Sequence, residues 1–432
     1  MRAGERPRPS LWYGAGRVRD ELRGCLVLAI ALLGSAGCRR ALGDPETDPS
    51  QPATADERAL SREELLGKRL FEDVALSEPP GVSCASCHDE RRAFSGANGS
   101  TIPAVARGAA PGAFGTRSSP SLLYASLVPP FAFALVQKEN AASKELEVPR
   151  GGLFWDGRAD TLAEQAKDPI LGAREMNAGS AAALVEKVKR APYAALARGV
   201  LGSRFDDADA AFDALAGAIG AYEATPRFRP FRSKFDDYLR GQTALTDAEQ
   251  RGFSLFKDPN KGNCIACHEG KTESRLPEDW LFTDFTYSAL GAPRNPALPD
   301  NRDPSHFDRG LCDSAKLARL LPRGRTTDVY CGSFRVPSLR NVAVTAPYMH
   351  NGVFTDLHEV VSFYATRSTT PQLWYPTDTH YWIQQYDDLP VRLRVMVSED
   401  EVPYDRTRGE APRLDGQDVD DLVAFLETLT DR

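Results

Sequence analysis

Two pentapeptides of one kind stand out in a chain of 432 residues: Cys-Ala-Ser-Cys-His at 84–88 and Cys-Ile-Ala-Cys-His at 264–268. Two thiols and an imidazole at this spacing suit three chemistries. A thioredoxin-like redox pair sits beside a β-α-β pattern, which the flanking sequence lacks, and has no use for the histidine. A structural zinc site pooling both strings would have four thiols and two imidazoles to draw on, yet Cys84 and Cys264 are 180 positions apart. Covalent haem of the c type uses every residue, because the thiols add to the vinyl groups and the adjacent histidine lies beneath the iron. On that reading Cys84 and Cys87 fasten one haem with His88 on its iron, and Cys264 and Cys267 fasten a second with His268.

The elements that must position these residues repeat with them. The approach to the first string opens at Ser61 and Glu64, and the approach to the second at Thr246 and Glu249. Both pairs have capping-box spacing. Each continues into Gly-x-x-Leu-Phe-x-Asp, Gly67 to Asp73 and Gly252 to Asp258. At helical spacing each Leu-Phe pair faces inward. The runs 208–225 and 418–430 are apolar at helical spacing as well and close each unit. Strand signals are few. The expected fold is mainly α, two tandem cytochrome c-like domains at 61–235 and 236–432, each carrying one haem.

Hydrophobic content of 42% and charged content of 26% are those of a globular protein. A net charge of −7 gives no nucleic-acid footprint and leaves room for a basic partner. Six arginines precede the apolar run 25–38, CLVLAIALLGSAGC. That run is too short to span a bilayer and reads as an export signal over 1–38. Its end resembles a lipobox in which Cys38 becomes a lipidated N-terminus, although Ser35 stands where a larger aliphatic residue is usual; simple export is the alternative. Residues 39–60, polar and Pro-rich, read as a tether. Of the eight cysteines, Cys312 and Cys331 remain after the signal and the two motifs. In an oxidising compartment they are expected as a disulfide, with two separate thiols the alternative.

Two longer stretches, LFWDGRADTLAEQAKDPILGAREM at 153–176 and FRVPSLRNVAVTAPYMHNGVFTDLHEVVSFY at 334–364, resemble the bacterial di-haem cytochrome c peroxidase family, which includes MauG-type oxidases. The resemblance runs from about 60 to 430. It implies that the first haem meets hydrogen peroxide and the second passes electrons, with Trp155 between them. It also implies that Gln165 and Glu175 line the peroxide pocket, Gln165 holding the oxygens and Glu175 moving a proton between them. Without it, Glu175 reads as a solvated helix-end carboxylate and Trp155 as a core residue. A calcium between the haems is implied at Ser118, Thr345 and Pro347, with serine in place of the family's asparagine.

Departures from the peroxidase pattern matter as much. Those peroxidases carry a histidine between the first motif and the tryptophan, and this chain has none from 89 to 155. The first haem is therefore expected to be open. Fourteen residues after His350, where the family's peroxidases place a methionine, stands Tyr364, the MauG residue type. Tyr364 is the expected distal ligand of the second haem, with Met349 and His350 as runners-up and a packed core tyrosine as the plain alternative. Residues 129–150 form an unusual insert. The resemblance implies periplasmic reduction of hydrogen peroxide with electrons from a small cytochrome c or cupredoxin, and leaves a homodimer open. A MauG-like oxidase acting on a protein substrate is the second reading, and a plain di-haem electron carrier the third. The membrane is reached only through the lipid on Cys38.

Overall fold

Ser61 and Thr246 do cap their helices as the spacing predicts. In each, the hydroxyl accepts from the backbone N–H three residues on, and the glutamate there returns a bond to the cap. A computed structural model describes residues 55–96, 98–136 and 146–432. The signal at 1–38 with Cys38, the tether up to residue 54 and the centre of the 129–150 insert lie outside these. The tether is shorter than expected at its far end. Ala55–Ala59 (α1) is helical, and the Glu57 carboxylate is buried between Lys68, 3.3 Å away, and Arg69, 3.2 Å away. Two cations on the next helix thus draw a polar segment into the fold.

The first half is helical: Arg62–Glu72 (α2), the single turn Cys84–Cys87 (α3), Leu162–Leu171 (α4), Ala181–Arg190 (α5), Ala194–Leu201 (α6) and Ala208–Glu223 (α7). The second half comprises Lys234–Leu239 (α8), Asp247–Lys257 (α9), Ala315–Leu320 (α10), Leu357–Thr366 (α11) and Gly416–Glu427 (α12). Each half has its own apolar core. Leu66, Leu70 and Phe71 meet Leu215, Ile219, Tyr222 and Phe228 in the first; Phe235, Phe253 and Phe256 meet Trp280, Phe282 and Phe425 in the second.

The same contact organises both. Helix α2 crosses α7, and α9 crosses α12. A methyl group on Gly67 would lie 1.9 Å from the Ala218 carbonyl oxygen, and one on Gly252 would lie 1.9 Å from that of Asp421. Only a residue without Cβ lets these helices approach so closely, which is why the glycine of the repeated string stands where it does.

Among the described residues strand is confined to two short antiparallel pairs. Ala132–Val136 (β1) pairs with Leu146–Arg150 (β2), so the insert is a hairpin, and Tyr287–Ser288 (β3) pairs with Phe334–Arg335 (β4). The hairpin base leans on the second half, Phe131 against Tyr287 and Phe133 against Tyr330, with Arg150 donating to the Asp284 carbonyl at 2.8 Å. Cys312 and Cys331 are joined by a disulfide. No helix among the described residues is long and apolar enough to cross a membrane.

Gly252→Ala should push α9 off α12 and lower stability by about 1–3 kcal/mol, the usual range for overpacking. Denaturant titration of the variant against wild type measures it, and an unchanged midpoint would mean that the crossing is not tight.

Candidate functional site

The turn α3 carries Cys84 and Cys87 on one side and delivers His88, whose backbone N–H bonds the Cys84 carbonyl at 2.9 Å. His88 Nδ1 lies 2.8 Å from the Phe94 carbonyl oxygen, with the Pro120 carbonyl also in reach. Donating there fixes the tautomer and leaves the Nε2 lone pair for a metal. Burial lowers the His88 pKa and so keeps the ring neutral, the form that ligates. The second motif repeats this. His268 Nδ1 is 3.2 Å from the carbonyls of both Phe282 and Pro337, and burial lowers its pKa to about 4.

The clamp comes from a repeat the sequence reading missed. Pro120-Ser121-Leu122 and Pro337-Ser338-Leu339 are identical tripeptides. Ser121 donates to the Ala93 carbonyl at 2.5 Å and Ser338 to the Leu281 carbonyl at 2.6 Å, each next to the phenylalanine that holds the histidine. No disulfide engages any of the four motif cysteines. Burial raises the Cys84, Cys87 and Cys264 thiols, to about 12 at Cys87 and Cys264. Thiols outside any disulfide, beside a neutral imidazole with its outer nitrogen left over, fit the covalent attachment of haem.

Gln165 and Glu175 come from α4 and the turn that ends it. Thr161 caps the helix start. Pro169 has no N–H for the Gln165 carbonyl and the helix stops two residues on, at Leu171. The chain then turns at Gly172, whose carbonyl accepts from the Glu175 N–H at 2.9 Å. The surface of Glu175 is open, but its carboxyl lies in a recess crowded by protein. Desolvation there raises its pKa, with Arg158 opposing and Asp168 adding. The Glu175 charge raises the thiols of both Cys84 and Cys87, so this carboxylate lies within electrostatic reach of the first motif. Gln165 is half-buried on the same helix.

Trp155 sits in a loop clamped from both halves. Its Nε1–H donates to the Ser118 carbonyl at 2.8 Å, and its own carbonyl accepts from the Arg335 N–H at 2.8 Å. Asp156 is held by Arg117 at 2.7 Å and Arg158 at 2.9 Å, and Arg117 also pairs with Asp308 of the second half at 2.6 Å. Gly157 has φ +66°, and a methyl group there would lie 1.9 Å from the Tyr287 hydroxyl.

Trp155 also lines a cavity of about 510 Å³ with Cys264, Cys267, His268, His350 and Tyr364. Tyr364 is on α11 and burial raises its phenol well above the usual range, with the charges of Cys267 and Cys264 adding. Of the runner-up ligands, Met349 lines the same cavity, and His350 is stacked on Phe334 at 3.6 Å with Nε2 3.3 Å from an Asp388 oxygen. His306, His358 and His380 are exposed or half-exposed and belong to no site.

The residues expected to hold calcium offer the Ser118 hydroxyl and the backbone carbonyls of Thr345 and Pro347. The ion takes ~6–8 oxygens and favours carboxylates. The Ser118 hydroxyl donates to the Pro347 carbonyl at 3.2 Å, which brings two of these oxygens together. Among the described residues no group of three or more His, Cys, Asp or Glu side chains could hold a metal ion.

A model of the di-haem cytochrome c peroxidase family matches residues 61–244. The chain is 39% identical over 402 residues to the methylamine utilization protein MauG of Paracoccus denitrificans, covering 90% of this chain and 92% of that one. It is 31% identical over 321 residues to the cytochrome c551 peroxidase of Pseudomonas aeruginosa, 71% and 73% of the two chains. The crystal structure of the diheme peroxidase BthA from Burkholderia thailandensis superposes with a TM-score of 0.78 at 44% identity, covering 88% of this chain and 89% of that one. The chain belongs to the di-haem cytochrome c peroxidase family and is an oxidoreductase.

One buried group was not anticipated. Glu223 continues the inward stripe of Leu215 and Ile219 at four-residue steps, a signal present in the sequence. It is 3% exposed, and its Oε2 has no hydrogen-bond partner. Matching the glycine contacts of the two halves (Ala218 with Asp421, Tyr222 with Phe425) puts Leu426 at the equivalent place. Burial pushes the Glu223 carboxyl up to about 8, and its charge is felt at Cys84. The folded protein therefore holds this proton more tightly than the unfolded chain does, and folding loses stability as pH climbs from about 4.5 to about 8. Glu223→Gln should remove that penalty, so the melting-temperature advantage of the variant should widen between about pH 5 and about pH 8. A constant difference across that range would put the carboxyl in a solvated or paired setting.

Proposed function

We propose that the protein reduces hydrogen peroxide to two waters, taking up two protons and two electrons from a small periplasmic donor, a cytochrome c or a cupredoxin. The observation that carries this reading is Glu175: a carboxyl lifted by desolvation whose charge reaches both cysteines of the first motif. When bound, two c-type haems would supply redox-active iron, one facing peroxide and one accepting electrons from the donor. Cys84, Cys87 and His88 would hold the first, in a domain spanning 61–235. Cys264, Cys267 and His268 would hold the second, in a domain spanning 236–432. Gln165 would fix the peroxide oxygens by hydrogen bond. The Glu175 carboxylate would take the proton from one oxygen and return it to the other, so that the O–O bond breaks with water as the leaving group. Trp155, clamped between Ser118 and Arg335, would bridge the two sites for electrons. Export and a lipid anchor at Cys38 belong to this reading.

A MauG-like oxidase working on a protein substrate is the second reading, favoured by one observation. Tyr364 lines the cavity of the second motif where a peroxidase of this family would have methionine. A phenol oxygen is a harder ligand than a thioether and stabilises ferric iron. A plain electron carrier would give Glu175 nothing to do.

Glu175→Gln should leave both haems attached and lower peroxide turnover by ~10²–10⁴-fold, the usual worth of a positioned proton carrier. Because the carboxyl must be ionised to accept a proton and its pKa is raised, wild-type turnover should fall on the acid side above the ordinary carboxylate range, and the variant should lose that limb. Turnover near wild type would return Glu175 to the role of a surface carboxylate. Tyr364→Met should raise the potential of the second haem and shift its spectrum toward His/Met ligation. An unchanged potential and spectrum would make Tyr364 a core residue, and the oxidase reading would lose its support.

A further inference from the structure

Haem attachment does not account for one pair of residues lining the cavity of the second motif, Glu401 and Tyr404. The string Glu401-Val-Pro-Tyr404 closes a single turn, with the Tyr404 N–H donating to the Glu401 carbonyl at 3.0 Å. The turn brings the two side chains together as well, and the Tyr404 hydroxyl donates to Glu401 Oε2 at 2.7 Å. Tyr404 is 5% exposed, and burial holds its phenol protonated. Its ring lies beside that of Tyr364, 6.3 Å from centroid to centroid, and it feels the charge of Cys267.

A buried cation sits against the same ring. Tyr364 and Arg367 are three residues apart at the end of α11 and so share a face. The Arg367 guanidinium donates to the carbonyls of Leu290 and Ser398 and lies 4.0 Å from the centre of the Tyr404 ring. Like charges at this range, away from water, repel strongly. Arg367 therefore opposes any state in which the Tyr404 ring turns positive, and the phenol can give up an electron readily only if its proton leaves too. Glu401 stands within the distance over which a positioned base takes a proton.

We infer that Tyr404 and Glu401 form a redox pair that stores one oxidising equivalent drawn from hydrogen peroxide. The inference rests on the peroxide reduction proposed above and deepens it. Peroxide withdraws two electrons, whereas a cytochrome c or cupredoxin delivers one at a time, so one equivalent has to wait. In the waiting step the O–H bond of Tyr404 breaks. Its electron passes to the second haem, through which peroxide draws it, and its proton passes to the Glu401 carboxylate. A neutral tyrosyl radical is left beside a carboxylic acid. Of the two electrons that turn peroxide and two protons into two waters, one then comes from the donor and one from Tyr404. The donor's next electron restores the phenol, with Glu401 returning the proton. Tyr386 has a carboxylate of its own, Glu399 Oε1 at 2.6 Å, but stands outside the cavity lining.

The di-haem holoprotein, mixed with equimolar hydrogen peroxide in the absence of any donor and frozen for EPR, should show a free-radical signal. Peroxide loss is followed in the same samples. Protein grown on ring-deuterated tyrosine should show the signal narrowed, as a tyrosyl radical requires. Tyr404→Phe should lose it, and so should Glu401→Gln, whose amide accepts the hydrogen bond but not the proton. Tyr386→Phe should keep it. A wild type that consumes peroxide with no radical signal, or with one that ring deuteration leaves unchanged, overturns the inference while the peroxidase reading stands, and this comparison needs no variant. A signal undiminished in Tyr404→Phe or Glu401→Gln, or abolished in Tyr386→Phe, overturns it as well. A holoprotein that does not react with peroxide overturns both readings.

Discussion

Everything in this molecule hangs from a pair of helix crossings too close for a side chain. At Gly67 and at Gly252 the backbone of the first helix rests against a carbonyl of the last. Those contacts fix the angle and depth of each unit, and the Cys-x-x-Cys-His turn is the next thing the chain builds. A helix pushed outward by one methyl would carry its turn with it, because protein interiors are too densely packed to absorb the shift.

From that frame the chemistry of the two halves diverges. In the first, α4 ends early at a proline, and the turn after it carries Glu175 within electrostatic reach of the motif. In the second, α11 brings a half-buried tyrosine to the cavity beside the motif. Between them Trp155 is fixed by one bond from each half, with Asp156, Arg117 and Asp308 forming a short ion-pair chain across the junction. An electron path through a tryptophan needs little motion, and a residue held at both its ring nitrogen and its carbonyl has little.

Much of this was legible in the sequence, and for physical reasons. Capping boxes, apolar periodicity and the cysteine-histidine spacing are local signals, so Ser61, Thr246, the long helices and both motifs could be read directly. The residues that escaped act across distance. The Pro-Ser-Leu tripeptides at 120 and 337 look like ordinary loop, because their role lies in backbone carbonyls presented to a histidine far away in sequence. Glu223 stood on a visible inward stripe, but only the comparison with Leu426 marks it as a departure. The tether was misjudged at its end because the partners of Glu57 lie on the next helix.

The histidine clamps bear on how such a protein can change over generations. Both imidazoles give their proton to main-chain oxygens, at Phe94 and Pro120 in one half and at Phe282 and Pro337 in the other. Substitution can delete a carboxylate partner, but every amino acid carries a carbonyl. The near side of each metal position is therefore shielded from point mutation, and its electron donation is inherited almost unaltered. What chemistry the two sites differ in is then left to the far side of each, where it rests on single side chains such as Glu175 and Tyr364.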